Sequence, residues 1–141
     1  MSVPHPGDLP ALGLTAMVET IVTAADTARA LGSGSLDVLA TPRLVALMEQ
    51  AACVALSKEL GPGQTSVGTR IAIDHTAASP VGMRITVRAT IVAVQGRQIT
   101  FEVTASDETG EIGRGNHCRV IVDADRFVMK ANQKLSHTDQ G

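Results

Sequence analysis

The chain has 141 residues, of which 44% are hydrophobic and 18% charged, and its formal net charge is −2. That is the size of one ordinary domain with enough apolar material for a core. The near-neutral charge gives no field for binding a phosphate backbone. With Phe101 and Phe127 as the two aromatic residues, there is next to nothing on which single-stranded bases could stack.

Cys53 and Cys118 are too few for a disulfide framework or a zinc site. No His/Cys/Asp spacing matches a metal-ligand set, so neither metal nor cofactor is expected. No leader with a basic start opens the chain, and no apolar run reaches the ~18 residues that span a bilayer. The expectation is a cytoplasmic protein with no membrane or nucleic-acid partner.

Residues 1–12 carry three prolines and read as a loose N-terminal arm. The stretch 17–31 opens with Met17, Val18, Ile21 and Val22 and is ambiguous between strand and helix. Residues 31–40 form a Gly/Ser loop followed by a short apolar step.

The segment 41–60 reads as a long helix. Thr41 is the expected N-cap, Pro42 suits the first helical position, and Gly61, Pro62 and Gly63 end it. From Leu44 to Leu56 the polar residues are Glu49 and Gln50 alone. A helix so uniformly apolar is expected to be buried all round, with Cys53 as a small core residue. A carboxylate in such a place must be paired, neutral or chemically at work.

Beyond the helix the pattern changes to period two. Strands are predicted at 67–76, 83–94, 97–106 and 111–124. Ile85, Val87, Ala89, Ile91 and Ala93 share one face of the second, and Ile99, Phe101, Val103 and Ala105 one face of the third. Gln95-Gly96 and Asp107 to Gly110 are turn signals. Gly113 and Gly115 point to a bulge or a close backbone approach in the last strand. The final dozen residues are polar and read as a frayed tail, which leaves 13–129 as the single domain. One long helix followed by a meander of antiparallel strands defines an α+β class, a curved sheet wrapped around a central helix. Such a sheet leaves edges open, so pairing with a second copy is expected.

These elements in this order resemble a hot-dog fold. The chain from about 36 to 135 further resembles the fluoroacetyl-CoA thioesterase family. The residues that carry this are Thr41, Leu47-Met48-Glu49, Gly68-Thr69, His75-Thr76-Ala77-Ala78 with Pro80, and Glu111-Ile112-Gly113 through His117 with Arg119. The resemblance implies hydrolysis of an acyl-CoA thioester by a homodimer with two active sites at the subunit interface. It assigns catalysis to Thr41, Glu49 and His75, suggests the Gly68 amide as donor to the thioester carbonyl, and sets Arg119 near the site. The loop Gly32-Ser33-Gly34-Ser35-Leu36 has no aromatic residue. A pocket selective for one very small fluorinated acyl group would want bulky, rigid walls, so the expected substrate is a short-chain acyl-CoA without selectivity for the fluoroacetyl group.

Thioester hydrolysis needs an activated nucleophile and support for a developing oxyanion. Glu49 is a candidate nucleophile or general base, and His75 a proton donor to the leaving thiolate or an orienter of Glu49. Thr41 is a partner for the carboxylate or for water. Gly68 lets the backbone approach closely. Each residue also has a structural reading: Thr41 as N-cap alone, Glu49 as a carboxylate pinned by an arginine such as Arg70, His75 as a strand-end residue, His117 as structural, and Arg119 as a surface or interface charge. His5 and His137 fall in the tails and read as solvated. A hot-dog hydratase is disfavoured because no Asp-x4-His occurs: Pro42 follows Asp37 at that spacing and Ser79 follows Asp74. A non-catalytic acyl-CoA sensor is the alternative from another class.

Overall fold

The computed structural model describes residues 11–138, the side chains of 137 and 138 apart. The expected N-terminal arm lies almost wholly outside the described residues, as does His5. Strand β1 (Thr15–Ile21) leads through a short 3-10 turn (Ala24–Asp26) and the one-turn helix α1 (Ala28–Leu31) to the central helix α2 (Thr41–Leu56). Then come β2 (Gln64–His75), β3 (Arg84–Gln95), β4 (Gln98–Asp107), β5 (Gly110–Asp123) and α3 (Ala124–Thr138). As far as Thr138, the stretch expected to fray is the second half of α3; the rest lies outside the described residues.

The five strands form one antiparallel sheet in the order β1-β3-β4-β5-β2. It curves around α2 in the hot-dog arrangement. Its concave face carries Ile85, Val87 and Ala89 of β3 and Ile99, Phe101 and Val103 of β4, packed against Leu44, Leu47, Met48, Ala51 and Ala52 of α2. Strict alternation holds in β3 only as far as Ile91. A bulge between Ile91 and Ala93 shifts the register there. The extra residue Val92 is thrown outward, and Val94, not the expected Ala93, packs against the core.

The helix is not buried all round. Leu44, Leu47, Met48, Ala51, Ala52, Ala55 and Leu56 face the sheet. Ala46, Gln50, Cys53 and Val54 are exposed, so Cys53 is a surface residue, not a core one. Uniform apolarity removes the contrast from which a buried face is read. The edge strand β2 is 12 residues long and pairs with β5 on one side only. None of the described helices is long and apolar enough to cross a membrane.

Candidate active site

Two short bridges set up the start of α2. Thr27 pairs with Leu39 and Val38 with Pro80, while Leu39 N–H donates to the Ser79 carbonyl at 2.8 Å and Ala40 N–H to the Asp26 carbonyl at 2.9 Å. Arg43 Nε closes the frame on Asp26 Oδ1 at 2.9 Å. Residues 38–40 are thereby strapped between the turn before α1 and the loop after β2, and the N-cap falls on Ala40, not Thr41. No side chain caps this helix start. The Thr41 hydroxyl instead meets His75 Nδ1 at 2.8 Å. The N-cap reading of Thr41 is thus overturned: strand-like φ/ψ at Ala40 provides the non-helical cap geometry, and Pro42 needs no N–H partner.

His75 is the last residue of β2, opposite Gly113. A Cβ on Gly113 would lie 2.8 Å from the Asp74 carbonyl oxygen and 3.2 Å from Leu44 Cδ2, so glycine is what lets the end of β2 come in against α2. His75 Nε2 is buried and has no hydrogen-bond partner among the described residues. Burial pushes the imidazole pKa below its ordinary value, against the opposing pull of the Ala77 backbone. Beside the pair opens a cleft of about 270 Å³ with small walls, among them Ala28, Ser33, Val38, Ala77 and Ala78.

Glu49 belongs to a second cluster. Its carboxylate Oε2 lies 3.4 Å from Arg119 Nη1, and its side chain is 42% exposed, so it is neither deeply buried nor pinned by Arg70. Arg119 is the buried member, its side chain 7% exposed. Its Nε donates to Ser66 Oγ at 2.8 Å and its Nη2 to the Ser66 carbonyl at 3.0 Å. Arg119 is therefore no surface charge. Next to it His117, 1% exposed, meets the Arg70 carbonyl through Nδ1 at 2.7 Å and Arg119 Nη1 through Nε2 at 3.1 Å. Gly68 closes the cluster: a Cβ there would sit 2.8 Å from Glu49 Oε2 and 3.2 Å from Arg119 Nη1. A shallow hollow of about 270 Å³ lies over Glu49, Gly68 and His117.

The predicted residues therefore fall into two separate clusters, Thr41 with His75 and Glu49 with Gly68 and Arg119. Eight residues of α2 separate Thr41 from Glu49, a rise of about 12 Å. Seven residues of β2 separate Gly68 from His75, roughly 23 Å of extended chain. Ser66 and His117 were missed as members of the Glu49 cluster. The signal for His117 was present, since period two in β5 sets His117 and Arg119 on the face of Ile121, which is buried. Ser66 carries no such signal. Among the described residues no group of His, Cys, Asp or Glu could hold a metal ion.

The five-stranded sheet curved around α2 sets the chain among the hot-dog thioesterases. Residues 22–125 match the family described as fluoroacetyl-CoA-specific thioesterase, FlK, and the chain belongs to that family of thioester hydrolases. It is 42% identical over 98 residues to the fluoroacetyl-CoA thioesterase of Streptantibioticus cattleyicolor, 70% of each chain being covered. The solved structure of the fluoroacetyl-CoA thioesterase FlK superposes with a TM-score of 0.83 at 35% identity, over 88% of this chain and 96% of that one. A Thermus thermophilus thioesterase superfamily member gives 0.87 at 27% identity, over 94% and 98%. FlK has been solved with threonine replaced by serine in complex with acetyl-CoA, at 35% identity, a TM-score of 0.84 and 88% and 98% coverage.

Proposed function

We propose that this chain hydrolyses the thioester of a short-chain acyl-CoA to the free acid and CoA, as a cytoplasmic homodimer with an active site at each end of the subunit interface. The contact that carries this reading is the 2.8 Å approach of Thr41 Oγ1 to His75 Nδ1, the geometry of a nucleophile beside its base. The fluoroacetyl-CoA thioesterase activity of FlK, and the acetyl-CoA complex of its threonine-to-serine variant, support a short acyl-CoA as substrate. Small residues lining the cleft, and the absence of aromatics from 32–36, argue against selectivity for the fluoroacetyl group.

In this reading the two clusters are half-sites, joined by a second copy. An unpaired 12-residue edge invites antiparallel pairing with itself. A two-fold axis near Ile71 and Ala72 sets Gly68 of one subunit against His75 of the other. Glu49 of the partner subunit then comes to the imidazole of His75, whose Nε2 is buried and unpartnered in the single chain, so the ring must turn for the contact to form. In this reading Nδ1 takes the Thr41 proton as the oxygen attacks the thioester carbonyl. The carboxylate steadies the imidazolium, and the partner's Gly68 N–H donates to the oxyanion. His75 returns the proton to the departing thiolate of CoA. Water then cleaves the acyl-threonine ester by the same relay.

The test is CoA release from a series of acyl-CoA thioesters by wild type and Glu49→Gln, the variant losing ~10²-fold or more in kcat. Equal turnover removes Glu49 from the mechanism. Acid quench and peptide mass mapping separates an acyl group on Thr41 from one on Glu49, which would make the carboxylate the nucleophile. Mixing inactive His75→Ala and Glu49→Gln chains should restore about a quarter of wild-type activity, because mixed dimers regain one intact site. No recovery on subunit exchange would mean each site is built within one chain. Binding of acyl-CoA with no turnover would favour the sensor.

A further inference from the structure

Arg119 can donate but never accept a hydrogen bond. The His117 nitrogen that faces its Nη1 at 3.1 Å, Nε2, therefore offers a lone pair. The ring proton must then sit on Nδ1, where the Arg70 carbonyl stands 2.7 Å away to receive it. Nη1 has two N–H groups. One is directed at His117 Nε2 and the other at Glu49 Oε2, 3.4 Å away. Ser66 holds Nε and Nη2, which fixes the plane of the guanidinium.

We propose that His117, kept as its neutral Nδ1–H form, is a positioning residue for thioester hydrolysis: its Nε2 lone pair sets the direction in which Arg119 presents its remaining N–H to the Glu49 carboxylate. The proposal rests on the thioesterase reading above and adds a residue to it. An imidazolium at His117 would turn an N–H toward the guanidinium N–H, and the Arg119–Glu49 contact would lose its guide. Among the described residues, the charged groups facing the ring are Glu49 from α2 and Arg119 from β5. β2 contributes the Arg70 carbonyl, and β4 the ring of Phe101, stacked at a centroid distance of 6.1 Å. Burial holds the imidazole pKa below its ordinary value. The Arg70 carbonyl works against this, Arg119 adds to it, and Glu49 opposes it. The working form is thus favoured at neutral pH.

Two measurements decide the matter. Imidazole ¹H–¹⁵N spectra of the wild-type protein should give the Nδ1–H tautomer for His117, persisting below pH 6.5. An Nε2–H tautomer, or an imidazolium at neutral pH, overturns the proposal even if turnover is normal. In kinetics, His117→Leu should lower kcat by about tenfold or more with KM held within about twofold. His117→Gln, whose amide oxygen replaces the Nε2 acceptor but cannot titrate, should recover most of that loss and shift the acid limb of the pH profile. Equal losses in both variants, or an unmoved acid limb in the glutamine variant, also overturn it. A wild-type chain that cleaves no thioester sinks the functional reading itself, an outcome recognisable because the tautomer assignment would stand.

Discussion

The hydroxyl of Thr41 and Nδ1 of His75 stand 2.8 Å apart although 34 residues separate them in sequence. The contact exists because the helix cap falls on Ala40 and leaves the threonine side chain free. A threonine that capped the helix would cost about 1 kcal/mol on truncation. Thr41→Ala is expected to shift the melting midpoint by less than that implies, under about 2 °C, while kcat falls ~10²-fold or more. Thr41→Ser should keep most of the turnover. Calorimetry together with CoA-release kinetics checks both halves. A full capping penalty with intact activity would return Thr41 to a structural role.

Gly68 separates stability from activity in a different way. A methyl group there meets Glu49 Oε2 at 2.8 Å and Arg119 Nη1 at 3.2 Å. Glu49 Oε2 ends a half-exposed side chain that can swing away, but Arg119 Nη1 and, also at 3.2 Å, His117 Cε1 are buried and held by hydrogen bonds, so they must yield by a few tenths of an ångström. What cannot survive the swing is their alignment. Gly68→Ala is expected to lose about 1 kcal/mol of stability, read from the urea midpoint, and on the order of tenfold or more in kcat. A variant as active as wild type would mean that the carboxylate need not sit against the strand.

Four of the five strands and the helix start were legible in the sequence because each rests on a local rule; β1 stayed ambiguous, and the grouping of Thr41, Glu49, His75, Gly68 and Arg119 came from the family resemblance. Alternation found Ile99, Phe101 and Val103, and the Thr-Pro step found the start of α2 within one residue. What was not legible depends on pairing between distant segments. The bulge at Val92 follows from the register of β3 on β4, which no window within β3 contains. The exposed side of α2 was hidden because its residues are as apolar as the buried ones. The residue type alone made Arg119 a surface or interface charge, as arginine usually is, and only the family resemblance set it near the site. Its burial depends on Ser66, 53 residues away, accepting two of its hydrogen bonds. The separation into two clusters follows from the rise per residue, which the sequence already contained but which matters only once the helix and strand are set side by side.

Gly115 is the position where a methyl group should break the fold rather than the chemistry. Its Cβ would overlap the Ala72 carbonyl oxygen and lie 2.7 Å from Ile73 Cα, both backbone atoms of β2. Backbone cannot step aside without opening the β2–β5 ladder, which also carries Gly68 and His75. Gly115→Ala is expected to cost about 2–3 kcal/mol, read as a lowered urea midpoint, and activity should fall in proportion to the folded fraction. Ordinary stability in this variant would show that β2 and β5 are more loosely apposed than the register implies.

The two histidines of these clusters impose a pH dependence on stability. Burial lowers the pKa of both His75 and His117 below the ordinary 6.5. Below 6.5 the unfolded chain takes up protons that the folded chain refuses, so stability rises with pH in that window. It is therefore fully present above 6.5 and falls away as the pH drops toward the lowered folded values. Asp107, held low first by its hydrogen bonds from Thr109, loses its contribution in the same direction. That loss belongs to a more acidic range, below the ordinary carboxylate value of 3.8. Urea midpoints taken at successive pH values from 8 to 5 should decline through the histidine window. In the combined variant His75→Gln with His117→Gln the decline should flatten there and persist at lower pH. An equally steep decline from pH 7 to 5 in that variant would mean that groups other than these imidazoles carry the acid sensitivity.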